Sequence, residues 1–97
     1  MESDLVTEIG IDETGRLFIT PSSHQFPYIY REAMEVHWDA KGKFLFSPKP
    51  REWTYLNWFK QIKSAAQEQG CNLRISSSTK WTNVPEELKN EILELVD

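Results

Sequence analysis

Two turn sequences constrain the first half of this chain more than any other feature. Asp12-Glu13-Thr14-Gly15 and Ala40-Lys41-Gly42-Lys43 each separate two short runs in which apolar and polar residues alternate. Alternation with a period of two is what a half-buried strand requires. Leu5, Thr7, Ile9 and Ile11 alternate with Val6, Glu8 and Gly10. Arg16 to Thr20 returns after a glycine able to take a positive φ, and Pro21 ends the run. Met34, Val36 and Trp38 then alternate with Glu35, His37 and Asp39 as a third strand. Phe44 to Ser47 returns as a fourth, stopped by Pro48 and Pro50. Between the hairpins, Ser22-Ser23-His24-Gln25 reads as a loop leading to a short helical turn begun by Pro27.

The second half changes period. From about Arg51 to Gln69, Tyr55, Phe59, Ile62 and Ala66 recur at helical spacing, widened by Leu56, Trp58 and Ala65. Gly70 stands where a left-handed helix cap belongs. Asn72 to Ser76 reads as a fifth strand and Ser76 to Thr79 as a polar loop. Asn83 is placed to cap a last helix with Pro85 near its first turn, acids Glu86 and Glu87 at its positive end, and Leu88, Ile92 and Leu95 as its apolar stripe. The expected fold class is α+β in the order ββββαβα. An antiparallel sheet of four to five strands would carry two helices packed on one face and leave the other face open.

The 97 residues suffice for a single domain, 1–97. The longest apolar runs are three residues, far short of a bilayer span. The acidic opening Met1-Glu2-Ser3-Asp4 lacks the apolar region of a secretory signal, and the lone Cys71 fits a reducing compartment, so a cytoplasmic location is expected. Charge is segregated. Residues 1–40 hold eight acids against two bases, residues 41–80 two against eight, and residues 81–97 five against one. Either neighbouring elements neutralise one another, or one face steers a charged partner.

Catalytic signals are sparse. No Cys-x-x-Cys, His-x-x-x-His or calcium-loop spacing exists, so no metal and no cofactor is expected. Glu35, His37 and Asp39 share one face of the third strand by alternation, where a carboxylate would orient the imidazole, but a solvated strand face explains them as well. Cys71 follows the cap glycine and reads as packing. The four glycines are isolated and form no phosphate cradle. The chain is expected not to be an enzyme, with no catalytic residue.

Twelve per cent of the chain is aromatic, more than a core this size absorbs. Tyr28, Tyr30 and Arg31 fall together in the irregular segment, and Arg51 with Trp53 flanks the Pro48–Pro50 bend. These are residue types enriched at protein–protein hot spots, so they form the expected partner-binding patch. Equally, Tyr28 and Trp53 would serve as plugs at the ends of the core. Lys41, Lys43, Lys49, Arg51, Lys60 and Lys63 interleave with Phe44, Phe46, Trp53, Tyr55, Trp58 and Phe59. This basic, aromatic-rich segment 41–63 would suit single-stranded nucleic acid, against which stands a sequence pI of about 5.2.

The Gly15-Arg16-Leu17 hairpin, Phe26-Pro27-Tyr28-Ile29-Tyr30-Arg31, Val36-His37-Trp38-Asp39 and Ser47-Pro48-Lys49-Pro50-Arg51-Glu52-Trp53 give the chain a resemblance to small acidic α+β proteins of bacterial mobile gene cassettes and of the polymorphic-toxin immunity type. The resemblance implies binding and neutralising a cognate protein without catalysis, and it assigns no functional residue. The sequence thus predicts a non-catalytic binding module for a protein partner or for itself, adaptor- or immunity-like, with nucleic acid as the alternative ligand and no membrane.

Overall fold

The computed structural model describes residues 2–96. Its strands are β1 (Glu2–Ile11), β2 (Leu17–Pro21), β3 (His37–Asp39), β4 (Phe44–Phe46), β5 (Cys71–Arg74) and β6 (Lys80–Thr82), and its helices are α1 (Tyr55–Glu68) and α2 (Glu86–Val96). Among the described residues the sheet is six-stranded, in the order β3-β4-β2-β1-β5, with β6 also beside β1.

Both predicted hairpins form. At the first, Asp12 Oδ1 accepts from the Thr14 and Arg16 amides at 2.9 Å each. Gly15 takes φ 88°, which lets the chain re-enter β2 in register. At the second, Asp39 Oδ1 accepts from the amides of Lys41 at 2.9 Å and Gly42 at 2.8 Å. There Lys43, rather than Gly42, takes the left-handed conformation, at φ 61°.

The sheet is mixed, where an antiparallel sheet of four to five strands is expected from the hairpins alone. β5 and β6 both run parallel to β1, β5 along Glu2–Leu5 and β6 along Glu8–Gly10. The cause is α1, a crossover that returns the chain beside β1 in the same direction. β6 is not among the strands expected from the sequence, because no turn joins it to a neighbouring strand as in the two hairpins. Thr79 joins the two halves of this edge. Its buried hydroxyl donates to the Val6 carbonyl at 2.7 Å and accepts from the Ser76 amide at 3.1 Å.

β1 does not alternate strictly. Its pairing with β2 slips between Val6 and Glu8, a bulge that spends Thr7 and changes the parity of the strand. Val6 and Ile9 therefore both reach the core, at 2% and 0% exposure, and Leu5 turns outward at 49%. Expecting Leu5 and Thr7 on the face of Ile9 and Ile11 fails for that reason. The third strand is also shorter than the alternation implies, because the chain turns at Glu35, φ 66°, leaving Met34 85% exposed.

One core joins the sheet to both helices. Val6, Ile9, Leu17, Ile19, Leu45, Cys71 and Leu73 meet Trp58, Phe59, Ile62, Ala65 and Ala66 of α1 and Leu88 and Ile92 of α2. α1 starts at Tyr55, later than Arg51, because Thr54 caps it, its hydroxyl accepting from the Asn57 amide at 3.1 Å. It ends as expected at Gly70, φ 88°. Asn83 does not cap α2. It takes φ 56° and donates from its amide to the Ile11 carbonyl at 3.4 Å, tying β6 to β1. Leu95, expected in the stripe of α2, is exposed. Phe26, Ile29, Ala33 and Val36 close one end of the core, so the irregular segment is a structural lid with its own buried anchors.

Candidate functional site

The bend between β4 and α1 builds a pocket. Pro48 and Pro50 cannot donate to a ladder, so residues 48–54 run in extended and bent conformation before Thr54 starts the helix. Trp53 immediately precedes that cap, and Trp58 stands one turn inside α1. Their ring centroids are 4.8 Å apart, the arrangement of a hydrophobic staple, which fixes the angle at which the chain enters the helix. Trp58 is 8% exposed, whereas Trp53 keeps 44% of its surface in solvent.

With the two tryptophans, Met34, Glu35, Pro48, Lys49, Arg51, Glu52 and Gln61 line an open cavity of about 590 Å³. That volume lies within the range of ligand and side-chain pockets. The lining is chemically mixed: the rings of Trp53 and Trp58 and the thioether of Met34 stand beside the cations Lys49 and Arg51 and the carboxylates Glu35 and Glu52. Among the described residues the ion pair is Asp12–Arg16, so Lys49 and Arg51 carry their charge without a carboxylate contact.

Of the five residues singled out in the sequence, the structure brings Arg51 and Trp53 into this pocket. Tyr28, Tyr30 and Arg31 form a separate cluster on the short 3-10 turn Ile29–Arg31. The two tyrosine rings meet edge to face at 6.5 Å, and the Arg31 guanidinium lies 4.9 Å from the Tyr28 ring centre. Both tyrosines are more than half exposed, at 53% and 58%, so Tyr28 does not plug the core; Phe26 and Ile29 do that. Met34 and Glu35 were not singled out as partner-binding residues. An exposed methionine beside a turn is the signal that marks them, and strand alternation concealed it.

The Glu35, His37 and Asp39 group does not assemble. Glu35 lines the pocket; His37 and Asp39 do share the open sheet face, but the His37 ring lies tilted 5.3 Å from Phe46 and Asp39 is occupied by its turn amides. Cys71 is fully buried; burial, then the charges of Asp4 and Glu2, push its thiol up, away from the reactive thiolate. Segment 41–63 is not one surface either. Phe44 and Phe46 lie on the sheet, while Lys60 and Lys63 lie on α1, where Phe59 belongs to the core. No helix among the described residues is long and apolar enough to cross a membrane.

The family model of Integron Cassette Protein Hfx_Cass5 matches residues 4–79, most of the chain. The chain belongs to this family. A solved structure, "Structure from the mobile metagenome of North West Arm Sewage Outfall: Integron Cassette Protein Hfx_Cass5", is 50% identical, over 99% of this chain and 97% of that one, with a TM-score of 0.50. No curated protein matches. The resemblance to mobile-gene-cassette proteins therefore stands, and neither description speaks of toxin immunity. All nine pocket residues fall inside the Hfx_Cass5 match, whereas β6 and α2 lie beyond it.

Proposed function

We propose that this Hfx_Cass5 family member is a non-catalytic binding module whose pocket between Met34 and Trp53 receives a side chain of a protein partner. The observation that carries the reading is the exposure of two large apolar side chains, Met34 and Trp53, in the lining of one cavity together with the buried Trp58. Large apolar side chains left in water beside unpaired cations are the composition of an interface core and its rim. Arg51 and Lys49 would meet polar or acidic groups around the inserted side chain. The Tyr28, Tyr30 and Arg31 cluster would extend the contact along the same irregular segment. Neutralising a cognate protein, as immunity proteins do, is one form of such binding; adaptor function and self-association are others.

Affinity capture from lysate with three baits tests the reading: the natural chain, Trp53→Leu with Met34→Ser, and Lys63→Ala, which lies outside the pocket lining. Trp53→Leu keeps an apolar staple and so preserves the fold. A stoichiometric protein retained by the first and third baits and lost from the second is the expected result. Retention by all three would show that the pocket is not the contact.

A further inference from the structure

The helices cover one face of the sheet and leave the other bare. Register places His37, Phe46, Phe18, Gly10 and Thr82 side by side across five strands on that bare face, with Asp39, Phe44, Glu8 and Lys80 in the adjoining row. The rings form a continuous chain: Phe18 to Phe44 at 5.6 Å, Phe44 to Phe46 at 5.9 Å, Phe46 to His37 at 5.3 Å. The Arg16 guanidinium lies 4.6 Å from the Phe46 ring centre. Two glycines let the rings lie down on the backbone. A Cβ on Gly10 would fall 2.4 Å from the Phe18 ring, and one on Gly42 2.3 Å from the Phe44 ring. Each of these phenylalanines keeps part of its surface in solvent.

Cations border the rings on this face. Its acids stay ionised but are each held in place by donors of the chain itself: Glu8 by the Thr82 hydroxyl, Asp39 by two turn amides, Asp12 by Thr14 and Arg16. Its cations stand at the borders of the rings. Lys80 shares the face by register, Lys43 directly precedes Phe44, and the stem of Lys49 lies beside Gly15, next to Arg16. The four glutamates of α2 ride on the helix that covers the opposite face. We infer that the bare sheet face is a stacking platform for single-stranded nucleic acid, with bases on Phe18, Phe44 and Phe46 and phosphates near Arg16, Lys43 and Lys80. Aromatic rings on a sheet face bordered by cations are how unstacked bases are held. This site meets the pocket at Lys49, and binding here does not depend on a protein partner.

The test is fluorescence anisotropy of labelled twelve-nucleotide oligo-dT and oligo-U, and of a duplex of equal length, with the purified full chain at 50 and 200 mM salt. Single strands should bind in preference to duplex, and about three phosphate contacts should weaken binding roughly twentyfold across that salt range. Phe46→Leu, which keeps an apolar side chain on the sheet, should weaken binding about tenfold or more. Trp53→Leu should leave it unchanged. Absence of single-strand binding at 50 mM salt overturns the inference, as does equal binding of duplex or indifference to Phe46→Leu. A dimer that excludes oligonucleotide and becomes monomeric with Phe46→Leu would also overturn it, assigning the face to a second copy.

Discussion

Trp53 and Trp58 meet across the N-terminus of α1 at 4.8 Å, one ring 44% exposed and the other 8%. The pair separates two roles that composition alone runs together. Trp58 belongs to the core and holds the helix to the sheet. Trp53 fixes the entry to the helix with one side of its ring and offers the other to solvent.

That division predicts unequal costs. Trp58→Ala should destabilise the fold by about 3 kcal/mol, as large-to-small core changes do. Trp53→Ala should cost only about 1 kcal/mol, the scale of a helix-terminus contact. Urea denaturation of the two variants checks the ratio.

The Asp12 turn makes the first hairpin sensitive to acid. Burial pushes the Asp12 carboxyl up, but hydrogen bonds from Thr14 and Arg16 outweigh it and hold it at about 2, against an ordinary 3.8. Its folded value is depressed, so its contribution is present above pH 3.8 and is lost as pH falls through that value toward 2. Asp4 shifts in the same direction: burial opposes, and the amides of His24 and Ser23 prevail. With solvent screening of a part-exposed group the loss due to Asp12 should be about 1 kcal/mol. Denaturation series between pH 5 and 2 should show a shallower slope for Asp12→Asn than for the natural chain.

Thr79 is the fastening of the broken edge formed by β5 and β6. Thr79→Val is nearly isosteric but leaves the Val6 carbonyl without its buried donor, 2.7 Å away in the natural chain. A stranded buried acceptor costs about 1–3 kcal/mol. The urea midpoint should fall accordingly, and amide exchange should quicken in β6 more than in β2.

Glu35 adopts φ 66° with an ordinary side chain at the rim of the pocket. A left-handed non-glycine residue stores about 1 kcal/mol or more. Glu35→Gly should therefore be neutral or slightly stabilising, whereas Glu35→Val should destabilise by about 1–2 kcal/mol, since a branched side chain tolerates that conformation poorly. Thermal melts of the two variants should diverge in that order.

Much of the frame was legible in the sequence because its signals are local. The Asp12–Gly15 and Ala40–Lys43 turns, the helical stripe through Phe59, Ile62 and Ala66, and the Gly70 cap depend on neighbours within a few residues. What escaped depends on contacts distant in sequence. The parallel pairing of β5 and β6 with β1 is decided by where α1 delivers the chain, and the bulge at Thr7 by the register of β2. The site followed the same rule. Arg51 and Trp53 were readable as an exposed pair at a proline bend, but their meeting with Met34 and Glu35 exists only in three dimensions. Asn83 shows the limit most simply: a residue suited to capping a helix instead bonds the Ile11 carbonyl.

Photo-crosslinking from the pocket tests the central claim most directly. A photoreactive phenylalanine in place of Met34, and separately in place of Glu68 on the exposed side of α1, is irradiated in lysate at matched concentration. The account predicts one dominant protein adduct from position 34, abolished by Trp53→Leu and absent from position 68. Equal adducts from both positions, or an adduct from position 34 indifferent to Trp53→Leu, would contradict it.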